Sequence, residues 1–225
     1  MDKPESMSTS EQRLTRPVLN ASLLRRVHRK LNSLWISYRL RSYKGIDGWL
    51  LLEEAEALYK AASKLPPGST VLEIGTWKGK STYCLARGLR SGKIICIDPF
   101  DGSGDEVYLE AKGEEPLLNQ FSKRMKELGV LHKIQICKGR SEDFVEEIPA
   151  IQFLFIDGDH SKEACEFDFT SYERALAPGG YLAFHDYYPE RRELGPTWVI
   201  DNMVIPSNNF KRIALVKSLW LGQKL

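Results

Sequence analysis

Five side chains able to handle protons or a metal ion fall in two short stretches, Asp157-Gly-Asp159-His160 and His185-Asp186. Each follows an apolar, strand-forming run, Ile151 to Ile156 and Tyr181 to Phe184, so the five groups belong at the ends of two strands. Asp157 and Asp186 offer the hard oxygen ligands that Mg²⁺ takes. A cation held there would lower the pKa of a substrate hydroxyl until it attacks as an alkoxide. His160 suits the role of general base, because an imidazole accepts protons near neutral pH. It also stands at the start of a predicted helix, where it would be an ordinary surface residue.

A second constellation is the stretch from Val71 to Thr82, in which an apolar strand runs into a glycine-punctuated turn and then a helix. Glycines there let backbone N–H groups approach an anionic or polar ligand, and the helix beginning near Gly79 points its positive end at the same spot. Gly79-Lys80-Ser81 copies the end of a phosphate-binding P-loop, and the strand from Phe153 to Asp157 could serve as its acidic partner. The spacing argues against that reading, since three residues separate Gly75 from Gly79 where the phosphate nest needs four. The pattern acidic-x-Gly-x-x-x-Gly fits better. Glu73 closes the first strand, and Asp98 closes the next, about 20 residues on, where it can hold a ribose diol. The candidate cofactor-binding residues of the turn are Glu73, Gly75, Thr76, Trp77, Gly79 and Ser81.

These groups are positioned by alternating elements. The patterns predict a helix over 49–64, with Leu51, Leu52, Ala55, Leu58, Tyr59 and Ala62 inward, stopped by Pro66-Pro67-Gly68. Strands follow at 70–74, 93–97, 133–137, 151–156 and 181–185, and helices at 79–89, 115–128, 141–147 and 161–176. That order is a parallel α/β sheet. Only Lys217-Ser218 separates the runs Phe210–Val216 and Leu219–Leu225, which is too short for a helical crossover and right for a hairpin. Residues 101 to 115 form a connection longer than the usual 2 to about 6 residues, either a substrate lid or a solvated excursion.

At 225 residues and 42% apolar composition the chain suits one domain with an appendage. No run approaches the ~20 apolar residues of a membrane span, and no signal sequence is evident, so the expected location is cytoplasmic. Cys84, Cys96, Cys137 and Cys165 form no C-x-x-C pair and read as reduced core thiols. Residues 1–18 are polar and predicted disordered. In 20–41, within the appendage 19–45, Leu23, Leu24, Val27, Leu31, Leu34, Trp35 and Tyr38 recur at spacings of three and four, with Arg25, Arg26, Arg29, Lys30 and Arg39 on the other sides. This amphipathic helix would pack on its own domain or a sister subunit of a homo-oligomer, or lie on a membrane surface. Its charges are not interleaved with stacking aromatics, which argues against nucleic acid.

Taken together, Glu73-Ile-Gly75-Thr-Trp-Lys-Gly79-Lys-Ser81, Ile97-Asp98-Pro-Phe100, Gly139-Arg-Ser-Glu-Asp143, Phe155-Ile-Asp-Gly-Asp-His160 and Pro178-Gly-Gly-Tyr-Leu-Ala-Phe-His-Asp186 resemble the class I S-adenosylmethionine-dependent methyltransferases. The likeness runs from about Gly45 to the C-terminus. It is strongest to the small branch with macrocin-type O-methyltransferases and cephalosporin-hydroxylase-like proteins, with catechol-type enzymes as more distant cousins. It implies a Rossmann-like domain over 46–225, a seven-stranded sheet, parallel except for the C-terminal hairpin, with helices on both faces. It also implies S-adenosylmethionine on the glycine turn, and a sugar or other small-molecule substrate. Ser81 would bind the cofactor carboxylate, and Ser141 and Glu142, after the third strand, the adenine edge, although Ser141 followed by acids also fits a plain helix cap. Asp157 and Asp186 match two Mg²⁺ ligands of the catechol-type enzymes and His160 their base. Two departures are Trp77, where the usual loop has a glycine, and Tyr187, where a third metal ligand is expected. The alternatives to a methyltransferase are a nucleotide-binding P-loop protein and a catalytically silent binding module of the same fold.

Overall fold

The computed structural model describes Arg26, Leu31, residues 33–102 and residues 116–225. The expected tail 1–18, half of the expected helix over 20–41 and residues 103–115 of the long connection lie outside these. The chain divides into two units, 1–35 and 36–225. In the first, the described residues are helical, and Leu31, Leu34 and Trp35 are exposed.

The second unit opens with the helical residues 36–39 (α1) and a tight turn, Arg41–Gly45. Here the expected inward face is corrected. Tyr38 is exposed, while Ile36, Leu40 and Tyr43 are buried in the core. Ile36 and Leu40 are four residues apart, so they share a helix face as readily as the stripe read from the sequence. α2, Leu52–Ser63, starts three residues later than expected, and Leu51 stands just outside it, exposed rather than inward.

Seven strands follow: β1 Ser69–Ile74, β2 Gly92–Asp98, β3 Ile134–Lys138, β4 Ile151–Ile156, β5 Leu176–Phe184, β6 Phe210–Val216 and β7 Leu219–Lys224. Their order is β3-β2-β1-β4-β5-β7-β6, parallel from β3 to β5, with β7 antiparallel to β5 and to β6. The helices between them are α3, Lys80–Gly88, α4, Leu117–Glu127, and α5, Lys162–Tyr172. Both faces of the sheet are covered. Phe153 and Phe155 pack on one side with Leu58, Leu85 and Phe121, and Leu154 and Ile156 on the other with Phe169, Tyr172 and Trp220, as the two-residue strand period requires. That continuous burial explains why β1, β2 and β4 read as unbroken apolar runs.

Three elements differ from the sequence reading. The stretch after β3 is a short 3₁₀ turn, Ser141–Phe144. β5 begins at Leu176, before Pro178-Gly-Gly, with an irregular register against β4 that accommodates the breakers. A helix at Gly195–Val199 (α6), continued by a π-turn Ile200–Val204, was not expected. Gly195 leaves no room for a Cβ, which would lie 2.3 Å from the Ser161 carbonyl oxygen, and its N–H donates to the His160 carbonyl at 2.8 Å. α6 therefore braces the segment that carries His160.

The direction of chain progression reverses between β1 and β4, where β2 and β3 lie to one side and β5 to the other. Open α/β sheets bind ligands at the carboxyl ends of strands at such a switch point. Both constellations singled out above lie there.

Candidate active site

The glycine turn is pressed against the neighbouring strand end. Gly75 has φ 86°, and a Cβ on it would fall 1.9 Å from the Asp157 carbonyl oxygen, so no other residue fits without displacing the backbone. Gly79, at φ 83°, opens α3, and a Cβ on it would lie 2.6 Å from the Phe121 ring. The turn after β1 and the acid after β4 are thus in direct backbone contact.

Trp77 adopts φ 45°, a conformation costing about 1–2 kcal/mol for a residue with a Cβ. Its ring stacks on Trp49 with centroids 5.0 Å apart, and Lys78 Nζ lies 4.9 Å above it. Stacking of this kind contributes about 0.5–1.5 kcal/mol, which offsets the strain. Trp77→Gly is accordingly expected to leave urea-unfolding stability within about 1 kcal/mol of wild type, and a larger loss would show that the indole has further partners.

Asp98 is buried and spends its carboxylate on the loop itself. Oδ2 accepts from the N–H groups of Thr76 (2.8 Å) and Trp77 (2.7 Å), and Oδ1 from that of Phe100 (2.6 Å). Burial pushes its pKa up, and the three N–H donors oppose that. The residue expected to hold a ribose diol is therefore also the fastener of the turn, in spite of Pro99. Glu73 is fully buried beneath the loop, with Oε2 accepting from Thr82 Oγ (2.5 Å) and Cys96 Sγ (3.5 Å). Its pKa rises to about 7 through burial, against the nearby hydroxyls of Ser81 and Thr82 and the Cys96 thiol. Glu73 Oε1 and Thr76 Oγ1 are buried without a hydrogen-bond partner. Two unspent acceptors under a glycine turn fit a ligand with an ammonium group.

Lys80 is turned away from this turn. Its Nζ donates to the Gly48 carbonyl at 2.7 Å and lies 4.8 Å above the Tyr43 ring, so the lysine a P-loop would aim at phosphate is engaged elsewhere. Ser141 and Glu142 sit in the 3₁₀ turn after β3. The Ser141 carbonyl accepts from Tyr172 Oη, and the expected cap at Ser141 is replaced by Asp143 Oδ2, which takes the Arg140 N–H at 2.9 Å. Behind that turn lies Asp168, buried, with Oδ1 unpartnered and a pKa raised to about 7 by burial.

Asp157, His160 and Asp186 converge, and the group at their centre is His185. His185 is buried and faces three carboxylates, with Nδ1 3.0 Å from Asp186 Oδ2 and 3.2 Å from Asp157 Oδ1, and Nε2 3.3 Å from Glu54 Oε2. Desolvation alone would lower its pKa; the carboxylates hold it well above the ordinary imidazole range. Glu54, buried at the first turn of α2, also accepts from Leu51 N–H (2.7 Å), Ser218 N–H (3.0 Å) and Ser218 Oγ (2.8 Å). His160 Nε2 lies 3.2 Å from Asp186 Oδ2, and Tyr188 Oη donates to Asp186 Oδ1 at 3.3 Å. Asp186 itself has φ 55°, a strained placement held by these partners. Asp159 turns outward, and its Oδ1 takes the Ser161 N–H at 2.7 Å.

Asp157, His160 and Asp186 each offer a ligand atom, all within 4.8 Å of one another. As a Mg²⁺ site the set fits poorly. Mg²⁺ prefers oxygen donors in a near-octahedral shell, whereas one donor here is an imidazole. Asp159 is committed to a backbone amide, and Tyr187 Oη, at the expected third position, donates to Asp201 at 3.0 Å. The facing oxygens of the two acids already share His185 Nδ1.

A family model described as a methyltransferase domain matches residues 72–187, from β1 to just past β5. The uncharacterized protein R132 of Acanthamoeba polyphaga mimivirus is 30% identical over 128 residues, 54% of this chain and 53% of that protein. The chain thus spans about half the length of this relative. Among solved structures, the O-methyltransferase TomG of Streptomyces achromogenes, in complex with SAM, is similar with a TM-score of 0.58 at 19% identity, over 85% of this chain and 88% of that one. An O-methyltransferase of Bacillus cereus in complex with SAH gives 0.58 at 16% identity, over 84% and 90%. A caffeoyl-CoA O-methyltransferase-like structure from Staphylococcus aureus gives 0.60 at 13% identity, over 91% and 98%. These likenesses bear out the seven-stranded fold. Among the described residues no helix is long and apolar enough to cross a membrane.

Proposed function

The chain belongs to the methyltransferase-domain family, and on that footing we propose that S-adenosylmethionine is its methyl donor and a hydroxyl oxygen of a small molecule its acceptor. The observation that carries this reading is the backbone contact between Gly75 and Asp157, which sets a cofactor-type turn beside a cluster able to take a proton. The unspent Glu73 and Thr76 oxygens suit the methionine ammonium, and Asp98 stands at the end of β2 where a ribose would lie. O-methyltransferases among the structural neighbours support oxygen as the acceptor.

In the reaction, a lone pair of the acceptor oxygen forms the new C–O bond as the C–S bond breaks, and the sulfonium becomes a neutral thioether. The hydroxyl proton goes to His160. Asp186 Oδ2, 3.2 Å from His160 Nε2, orients the ring and stabilises the charge it gains, as a carboxylate does in a catalytic dyad. Most of the acceleration comes from alignment of oxygen and methyl group, with the base adding about 10²- to 10⁴-fold.

Calorimetry with S-adenosylmethionine and with ATP tests the donor: the first is expected to bind and the second not, and the reverse would restore the P-loop reading. With a methylated acceptor in hand, His160→Ala is expected to lower turnover by about 10²- to 10⁴-fold near neutral pH, with partial recovery at higher pH as the hydroxyl ionises unaided. Cofactor affinity should be unchanged. Binding of the donor without any turnover across hydroxylated acceptors would make the protein a silent binding module.

A further inference from the structure

Two carboxylates brought together raise each other's pKa unless a positive charge lies between them, and the His185 ring lies in that place. Both of its nitrogens face carboxylate oxygens, Nδ1 toward Asp157 and Asp186 and Nε2 toward Glu54. Ionised carboxylates only accept hydrogen bonds, so each ring nitrogen must carry a proton, and the ring is an imidazolium. It is fixed from four sides: α2 through Glu54, the end of β4 through Asp157, its own neighbour Asp186, and the β6–β7 turn, where Ser218 Oγ lies 3.4 Å from Nε2. The remaining charge of Glu54 is met by the Leu51 and Ser218 donors, and that of Asp186 by Tyr188 and His160.

We propose that the His185 imidazolium is the resident cation of the acceptor site, bridging Asp157 and Asp186 where a divalent ion would otherwise sit, so that methyl transfer proceeds without a metal. This rests on the methyltransferase reading for its meaning, but its geometry does not depend on which acceptor is used. A divalent ion bridging the same two oxygens would lie at about 2.1 Å from each and so against the Nδ1–H that now points between them. Glu54 and Ser218 become positioning residues, since they hold the ring and touch neither donor nor acceptor.

The test needs no acceptor. Full-length protein is titrated with Mn²⁺ by calorimetry, in the wild type and in His185→Asn, with His185→Gln as a second variant should the first not fold. Wild type is expected to show no saturable binding up to about 1 mM Mn²⁺, whereas loss of the ring charge leaves the two acids unbalanced and should tighten binding by about tenfold or more. That gained binding should disappear when Asp186→Asn is added. Saturable binding to wild type that Asp186→Asn abolishes would overturn the proposal, and so would a folded His185 variant with no gain. Donor binding, measured on the same wild-type sample, reports separately on the methyltransferase reading.

Discussion

Replacing Asp98 by alanine is expected to abolish measurable S-adenosylmethionine binding and to lower folding stability by at least about 3 kcal/mol, since each buried N–H left without a partner costs about 1–3 kcal/mol. Three such donors depend on this carboxylate, those of Thr76, Trp77 and Phe100, at 2.8, 2.7 and 2.6 Å. Two belong to the strained turn, so their release frees Trp77 from φ 45° and removes the surface that would cradle the cofactor. Asp98→Asn should fall between, because the amide keeps one acceptor oxygen and turns its NH₂ toward N–H donors. Urea unfolding and calorimetry on the same variants separate two roles. A carboxylate that served only ribose hydroxyls would cost affinity and leave stability within about 1 kcal/mol, and that outcome would refute its part in fastening the loop.

How much of this was legible in the sequence follows from where the information lies. β1, β2 and β4 are buried on both faces, so they appear as apolar runs, and the two residues between β6 and β7 permit little but a hairpin. The acids at the strand ends were legible for the same reason, since the strands fix where their last residues point. Glu54 was not. It meets His185 across 131 positions of sequence, and nothing in the α2 pattern separates it from the solvated acids of any first helical turn. His185 could be placed in the cluster but not given a part, because its charge is set by partners from three other segments. α6 was hidden by its brevity, although Gly195-Pro196 at its start is a signal, with proline at the first turn where its missing N–H costs nothing. Asp98 was read through its expected ligand, whereas the turn it closes is short enough for the side chain to reach three amides first.

Glu73 is expected to lower stability as pH rises, the reverse of the usual effect of an acid. In the folded protein Glu73 holds its proton up to about pH 7, against 4.5 for an unperturbed glutamate, and Asp168 up to about 7 against 3.8. Burial is the main cause in both. As pH rises, the unfolded chain releases these protons first, so across this window the native state binds more protons and stability falls with rising pH. The contribution is fully present below about pH 4 and is lost as pH passes through about 7, with a slope of up to about 1.4 kcal/mol per pH unit for each group. Urea midpoints of the apoprotein should therefore decline between pH 5 and 7, and the decline continues above pH 7 because the folded state keeps the His185 proton that the unfolded chain releases. Glu73→Gln keeps the shape of the protonated acid and cannot ionise, so it should remove its share of the slope and be more stable than wild type at pH 8 by about 2–3 kcal/mol. It should also bind S-adenosylmethionine more weakly, because a neutral amide replaces the charge that would face the methionine ammonium. Saturating donor should flatten the wild-type curve, since an ammonium beside Glu73 favours the ionised form. A wild-type midpoint that is constant across this range, or a Glu73→Gln variant with an unchanged slope, would show that the carboxyl under the loop is ionised when the site is empty.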